Sequence, residues 1–185
     1  NCIASNPFRH VQRPKTNALQ PCYLRKGEMR VLLEKIGDNQ FHNLCLMALN
    51  TGMRQGELLQ LQWSDIDLVL RIVHVRNSDE FTTKGRKNRS IPINDPLQTI
   101  LLGMKEVAGS ELVFHRQGKR LRPEWVSKTF KRHVRISGLN DKLHFHSLRH
   151  TFASWLVQDG VSLYEVQKLL GHSNIAVTQV YSHLQ

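Results

Sequence analysis

Apolar residues recur at helical intervals through most of this 185-residue chain, and nearly every such run stops at a glycine. That spacing gathers apolar side chains on one face of a helix, and glycine readily takes the left-handed conformation that ends one. In "KGEMRVLLEKIG" the residues Met29, Leu32, Leu33 and Ile36 are so spaced, with Gly37 as the stop. "FHNLCLMALNTG" is apolar on most sides and ends at Gly52, which marks a helix central to the core. A third helix starts at once in "MRQGELLQLQW". Asp95 and Pro96 read as the N-cap and first turn of a helix reaching to about Gly109. Pro123 opens another, "PEWVSKTFKRHVRISG", with Trp125, Val126, Phe130 and Val134 facing inward. "HSLRHTFASWLVQDG" closes at Gly160, and "SLYEVQKLLG" closes at Gly171 with Ser162 and Glu165 at capping-box spacing. "HSNIAVTQVYSHL" begins a last helix near Ser173. One stretch departs from this texture: "LVLRIVHV" and "RSIPI" are rich in Val and Ile and flank the polar "NSDEFTTKGRKN", as in a short antiparallel hairpin with a basic tip. The expected fold class is mainly α with a small antiparallel β-sheet, an α+β domain.

The first 22 residues carry three prolines and no sustained period, so they read as a linker or N-terminal arm, and the domain proper occupies residues 23–185. Its length suits one domain, and 40% hydrophobic residues suffice for a core. Three widely spaced cysteines, none in a C-x-x-C pair, indicate neither a disulfide framework nor a cysteine zinc site, and fit a reducing, intracellular setting. No apolar run approaches membrane-spanning length and no signal-peptide pattern opens the chain, so a soluble protein is expected. The chain begins at Asn1 rather than Met, which suggests a piece of a longer polypeptide. With 26 Lys and Arg against 15 Asp and Glu, the formal charge of +11 favours a polyanionic partner, nucleic acid above all.

The densest chemistry lies in "HFHSLRHTFASWLVQDG", which crowds histidines and an arginine ahead of an apolar helix. His146 and His150 stand four apart, as a zinc-binding pair would, but the glutamate of an H-E-x-x-H site is missing and no third ligand is spaced nearby. An anion site is the better reading. A helix N-terminus favours negative charge, the Arg149 guanidinium can grip two phosphate oxygens, and the imidazole of His146 can hold or move a proton. Arg54 lies just beyond Gly52 with Glu57 one turn on, where the pair could equally be an ordinary helix salt bridge. His172 follows Gly171 at a helix junction, and Tyr181 lies nine residues further on. On the Pro123 helix, Lys128, Lys131, Arg132 and Arg135 form a basic stripe that is either a phosphate-contacting face or a solvated one.

Four segments, "TGMRQGEL", "TKGRKNRSIPI", "HFHSLRHTFASWL" and "LLGHSNIAVTQVY", resemble in order and spacing the motifs of the tyrosine recombinases, the phage-integrase family of DNA strand-transfer enzymes. The resemblance covers nearly all of residues 23–185 and implies the tyrosine recombinase catalytic-domain fold. It implies that Arg54 and Arg149 clamp the scissile phosphate and that Tyr181 is the nucleophile of a 3′-phosphotyrosyl intermediate. His146 would accept or position the tyrosine proton, His172 would donate to a phosphate oxygen, and Lys84 would be the general acid, with Lys87, Arg86 and Arg89 as rivals. Glu57 would buttress Arg54, and His150 would give second-rank support. Lys87 and Arg86 join the stripe of Lys128, Lys131, Arg132 and Arg135 as expected DNA contacts. No metal or other cofactor is implied, since arginines take over the charge-neutralising role of a divalent ion.

The same resemblance implies double-stranded DNA as partner, a homotetramer on DNA for the full-length protein with this fragment monomeric, and a bacterial, nucleoid-associated cytoplasmic setting. The implied role is integration or excision of a phage or mobile element. A chromosome-dimer resolvase shares this chemistry, a type IB topoisomerase is similar to it, and a catalytically silent DNA-binding regulator is the reading from another class. Family members usually carry an N-terminal domain that clamps the other side of the DNA, and they often continue well past the tyrosine. Here the expectation is a catalytic domain alone, with weakened site-specific binding and synapsis.

Overall fold

The computed structural model describes residues 20–76 and 88–184. Helix α1 spans Lys26–Glu34 and ends three residues ahead of Gly37, so that glycine lies in the following loop instead of capping the helix. Asp38 then caps α2, Asn39–Thr51, its carboxylate accepting from the Phe41 amide at 3.1 Å. After Gly52 comes the one-turn helix α3, Gln55–Leu59. Helix α4, Asp95–Glu106, is capped by Asn94, one residue before the expected Asp95, because the Asn94 side chain reaches the Leu97 amide at 3.0 Å and Pro96 fits the first turn. It stops at Glu106, short of Gly109. Pro123–Ile136 form α5, Ser147–Gln158 form α6 and Leu163–Leu170 form α7, the last with the expected Ser162–Glu165 capping box.

The β region holds more than a hairpin. Strands β1 (Ile66–Asp67), β2 (Ile72–Val75) and β3 (Arg89–Pro92) form an antiparallel sheet in that order. Leu68 to Arg71, taken from sequence as strand, make the β1–β2 turn instead. The Asp67 carboxylate accepts from the amides of Val69 and Leu70 at 2.9 and 2.7 Å, and Arg71 adopts a φ of 55°. The register pairs Val73 with Ile91 and Val75 with Arg89, so these four residues share one face, and the three apolar ones are buried. A second two-stranded ribbon, β4 (His115–Arg116) with β5 (Lys119–Arg120), turns through Gln117 and Gly118 at positive φ.

The end of the chain also differs from expectation. Instead of an α-helix after Ser173 there are two 3-10 segments, Ile175–Val177 and Gln179–Leu184. Asn174 starts the first by accepting from the Ala176 amide at 2.9 Å, and the tight turns suit so short a stretch.

Helices α2 and α6 pack along each other at the centre, and α6 also carries α7 and the final 3-10 segment. The large cluster around α2 contains Phe41, Phe114 and Phe130, each essentially inaccessible and each worth on the order of 2–3 kcal/mol of burial. Of the residues expected to face inward on α5, Val126, Phe130 and Val134 are fully buried and Trp125 is half-buried. A smaller cluster, formed by Phe152, Ala153, Val157, Val166, Leu170 and Tyr181, sits between α6, α7 and the chain end. Gly52 joins the two regions. Its φ is 60°, and a Cβ there would lie 2.4 Å from Phe152 and 2.9 Å from Leu170, so both conformation and close approach demand glycine.

Candidate active site

The chain leaves α2 through Gly52 and runs extended to Arg54, the residue that precedes α3. Glu57, one turn into α3, reaches back to the Arg54 amide at 2.8 Å and to its guanidinium at 3.0 Å. The same carboxylate receives both terminal nitrogens of Arg89 from β3, at 3.0 and 2.7 Å. This is a buried two-arginine, one-carboxylate knot: the side chains of Glu57 and Arg89 are 1% and 8% exposed, while Arg54 keeps 23%. Burial alone would raise the Glu57 pKa, but the hydrogen bond and charge of Arg89, with the amide and charge of Arg54, hold it below the ordinary carboxylate value. Arg89 also donates from Nε to the Leu169 carbonyl at 2.9 Å, tying the sheet to the end of α7.

Arg149, on the first turn of α6, is buried at 3% exposure. It donates to the Gly52 carbonyl at 2.6 Å and the Leu170 carbonyl at 2.7 Å, bridging the C-terminal ends of α2 and α7. Those ends carry the negative poles of their helices and suit a cation. Burial, then the charges of Arg54 and Arg89, lower its pKa to about 9, so the guanidinium stays charged at neutral pH. A guanidinium has five N–H donors, so donors beyond the two used here remain for an anion.

Gly171 turns α7 through the left-handed region and delivers His172. The His172 Nδ1 lies 2.9 Å from the buried Thr178 hydroxyl. Burial, followed by Arg149, Arg54 and Arg89, brings its pKa down to about 4, so the ring is neutral at pH 7. The Thr178 hydroxyl can donate to Nδ1, and in that tautomer the ring proton sits on Nε2, free to face an anion.

Tyr181, in the last 3-10 segment, is 2% exposed, and its hydroxyl lies 2.6 Å from the His150 Nδ1. Burial pushes the phenol up to about 12 against the opposing pull of Arg149. Burial, then His146, His144 and Arg149, lowers His150 to about 4. The exposed His146, at the start of α6, stands edge-on to the His150 ring with centroids 5.0 Å apart. The family resemblance gives His146 the role of accepting or positioning the tyrosine proton. In the structure His150 makes the hydrogen bond, because the last segment packs along α6 and meets it one turn deeper than its N-terminus.

Arg54, Glu57, Arg89 and Tyr181 all lie near enough to Arg149 to bear on its charge, and His172 senses both expected arginines and His150. Residues scattered over four segments of sequence thus gather in one cationic cluster that includes a tyrosine. The sequence pattern of the phage integrase family matches residues 23–185. The chain belongs to the phage integrase family. Relatives include the tyrosine recombinases XerC of Alcanivorax borkumensis, 34% identical over 97% of this chain and 61% of that protein, and XerC of Pediococcus pentosaceus, 30% identical over 98% and 64%. The chain spans a little under two thirds of the length of these curated relatives. Among solved structures, the XerA recombinase superposes with a TM-score of 0.76 at 28% identity, covering 94% of this chain and 63% of that one. The catalytic domain of bacteriophage HP1 integrase shares the fold, with a TM-score of 0.65 at 24% identity over 88% of this chain and 87% of that one.

Lys84, Arg86 and Lys87 lie outside the described residues. On α5, Lys128 and Arg132 are exposed, whereas Lys131 and Arg135 are engaged by Asp141: Lys131 bonds its carboxylate at 3.2 Å and its carbonyl, and Arg135 bonds the carboxylate at 2.9 Å. Sequence reasoning missed the role of Arg89, which it ranked as a rival proton donor. The signal was present: in "RSIPI" period two places Arg89 on the face of Ile91 and Ile93, the buried one.

Proposed function

We propose that this chain is the catalytic domain of a site-specific DNA recombinase or integrase, which breaks and rejoins duplex DNA through a phosphotyrosine at Tyr181. The observation that carries this reading is the seat of the Tyr181 hydroxyl beside His150, within the charge field of Arg149. Arg54 and Arg149 take the non-bridging oxygens of the scissile phosphate. Charge grows on those oxygens as phosphorus becomes five-coordinate, so fixed cations stabilise the transition state more than the ground state. Glu57 and Arg89 fix the first guanidinium, and two helix ends fix the second. His172 donates from Nε2 to a phosphate oxygen. The Tyr181 oxygen attacks phosphorus, a 3′-phosphotyrosyl bond forms and the 5′ oxygen leaves as a hydroxyl. Lys84, by resemblance to the family, supplies the proton. Bond energy is conserved in the ester, so a second 5′ hydroxyl reverses the step without ATP.

Exposed Lys128 and Arg132 suit phosphate contacts along the duplex, with Lys131 and Arg135 as weaker members of the same stripe. Integration or excision of a mobile element in a bacterial cytoplasm, at the nucleoid, is the biological role we assign, with a homotetramer of the full-length protein on DNA. A chromosome-dimer resolvase would use the same residues, and the XerC and XerD names of several relatives favour that second reading.

The test incubates a panel of nicked duplexes carrying candidate recombination sites with the wild-type chain and Tyr181→Phe in EDTA. A denaturation-resistant protein–DNA adduct from the wild type alone is expected. Adduct formation by Tyr181→Phe would overturn Tyr181 as nucleophile, and DNA binding without any adduct from the wild type would favour a silent DNA-binding regulator.

A further inference from the structure

We infer that His150 is the group that takes the proton from the Tyr181 hydroxyl during strand cleavage and returns it during rejoining, an inference that rests on the recombinase reading above. Its Nδ1 stands 2.6 Å from the phenolic oxygen, within the reach a proton acceptor needs before any substrate arrives. The ring is half-buried, and its position is fixed by helix α6 rather than by a loop. His146 and His144, with centroids 5.0 and 6.5 Å away, face it from the start of that helix, and Arg149 precedes it. Tyr181 faces it from the final segment, and His172 senses it from the turn after α7. Surrounded by these groups the imidazole is neutral at rest, and in the tautomer protonated on Nε2 its Nδ1 accepts from the phenol.

A scissile phosphate changes that balance. Negative charge building on the five-coordinate phosphorus favours the imidazolium next to it, so His150 becomes a better base as the transition state is approached. The Tyr181 oxygen–phosphorus bond forms as the phosphorus–5′ oxygen bond breaks. The phenolic proton passes to His150 Nδ1, and the 5′ oxygen takes its proton from the general acid. On rejoining, the 5′ hydroxyl attacks phosphorus and returns its proton to the conjugate base of the general acid, the tyrosyl ester breaks and the imidazolium protonates the departing phenolate.

The experiment uses a nicked duplex that the wild-type chain cleaves in the preceding test, resynthesised with sulfur in place of the bridging 5′ oxygen. A thiolate leaves without an acid, so the pH dependence of adduct formation reports the tyrosine proton alone. His150→Asn retains an acceptor oxygen near the position of Nδ1 but takes no proton at these pH values, and His146→Asn serves as the comparison. We expect His150→Asn to be roughly 100-fold slower at pH 7. Its deficit should shrink about tenfold for each unit that pH rises toward the Tyr181 ionisation, as phenolate forms unaided. Wild type should be flat over the same range, and His146→Asn should show a pH-independent effect. A deficit in His150→Asn that does not change with pH, or the pH signature appearing in His146→Asn instead, would overturn the inference. Thermal melting and duplex binding matched to wild type exclude a folding defect, and His150→Gln supplies a second variant if Asn does not fold. Failure of the wild-type chain to cleave any duplex would count against the recombinase reading itself, an outcome separate from an unaltered pH profile.

Discussion

Arg54 and Arg149 are charged alike and assigned to the same phosphate, yet the molecule holds them in opposite ways. Arg54 is oriented by a carboxylate that it shares with Arg89, and it stays partly open to solvent. Arg149 is buried among other cations, and the partners seen for its guanidinium are two backbone carbonyls. The first arrangement depends on side-chain charge, which pH and substitution can change. The second depends on where two helices end, which only a change of backbone can alter. A binding cation can therefore be fixed either by a counter-charge or by peptide dipoles, and only the first neutralises it.

The largest effect expected from breaking this contrast is at Arg149. Arg149→Lys exchanges a planar fork for a point charge that cannot span both carbonyls and a phosphate, so adduct formation should fall on the order of 1,000-fold. Single-turnover cleavage measures it, and a loss under tenfold would show that the carbonyl bridge does not orient the cation. Glu57→Gln attacks the other arrangement. It leaves two close arginines without their counter-charge and should cost about 3 kcal/mol in urea unfolding, as removal of one partner from a buried ion pair does.

The pH dependence follows the same division. Glu57 has a folded pKa held below its unfolded value, so its stabilisation is present above the ordinary carboxylate range and is lost as pH falls through the folded value. His150 and His172, neutral when buried, weaken the fold earlier, as pH drops from about 6.5 toward about 4. Glu57→Gln should remove the lower leg of the acid-unfolding curve and leave the upper one. The smallest effect belongs to the surface. Lys128→Ala and Arg132→Ala should each flatten the dependence of log affinity on log salt by about one unit, whereas Arg135→Ala, bound to Asp141, should change it less.

Most of the site was legible because it is made of local signals repeated in order. Arg54 with Glu57, the H-x-L-R-H box and the L-G-H turn each fall within a few residues, and the helices that carry them advertise themselves by period and stop. What sequence left unread depends on contacts between distant segments. Arg89 turns inward because of its register opposite Val75, and His150 rather than His146 meets the tyrosine because of how the chain end lies along α6. The final 3-10 turns escaped for a related reason, since "IAVTQVY" has apolar spacing compatible with a helix and only packing decides its pitch. The β1–β2 turn was misread as strand because Val69 and Leu70 look apolar and are in fact exposed, the carboxylate of Asp67 having bent the chain there.

Tyr181 belongs to the smaller of the two hydrophobic clusters, while the Glu57 knot is built on elements of the larger. Native proteins open in patches, and a patch with few buried contacts opens at a lower free energy than the main core. Local opening around Tyr181 should therefore cost less free energy than opening the core that carries Glu57 and Arg89, which amide hydrogen exchange along the two regions would show.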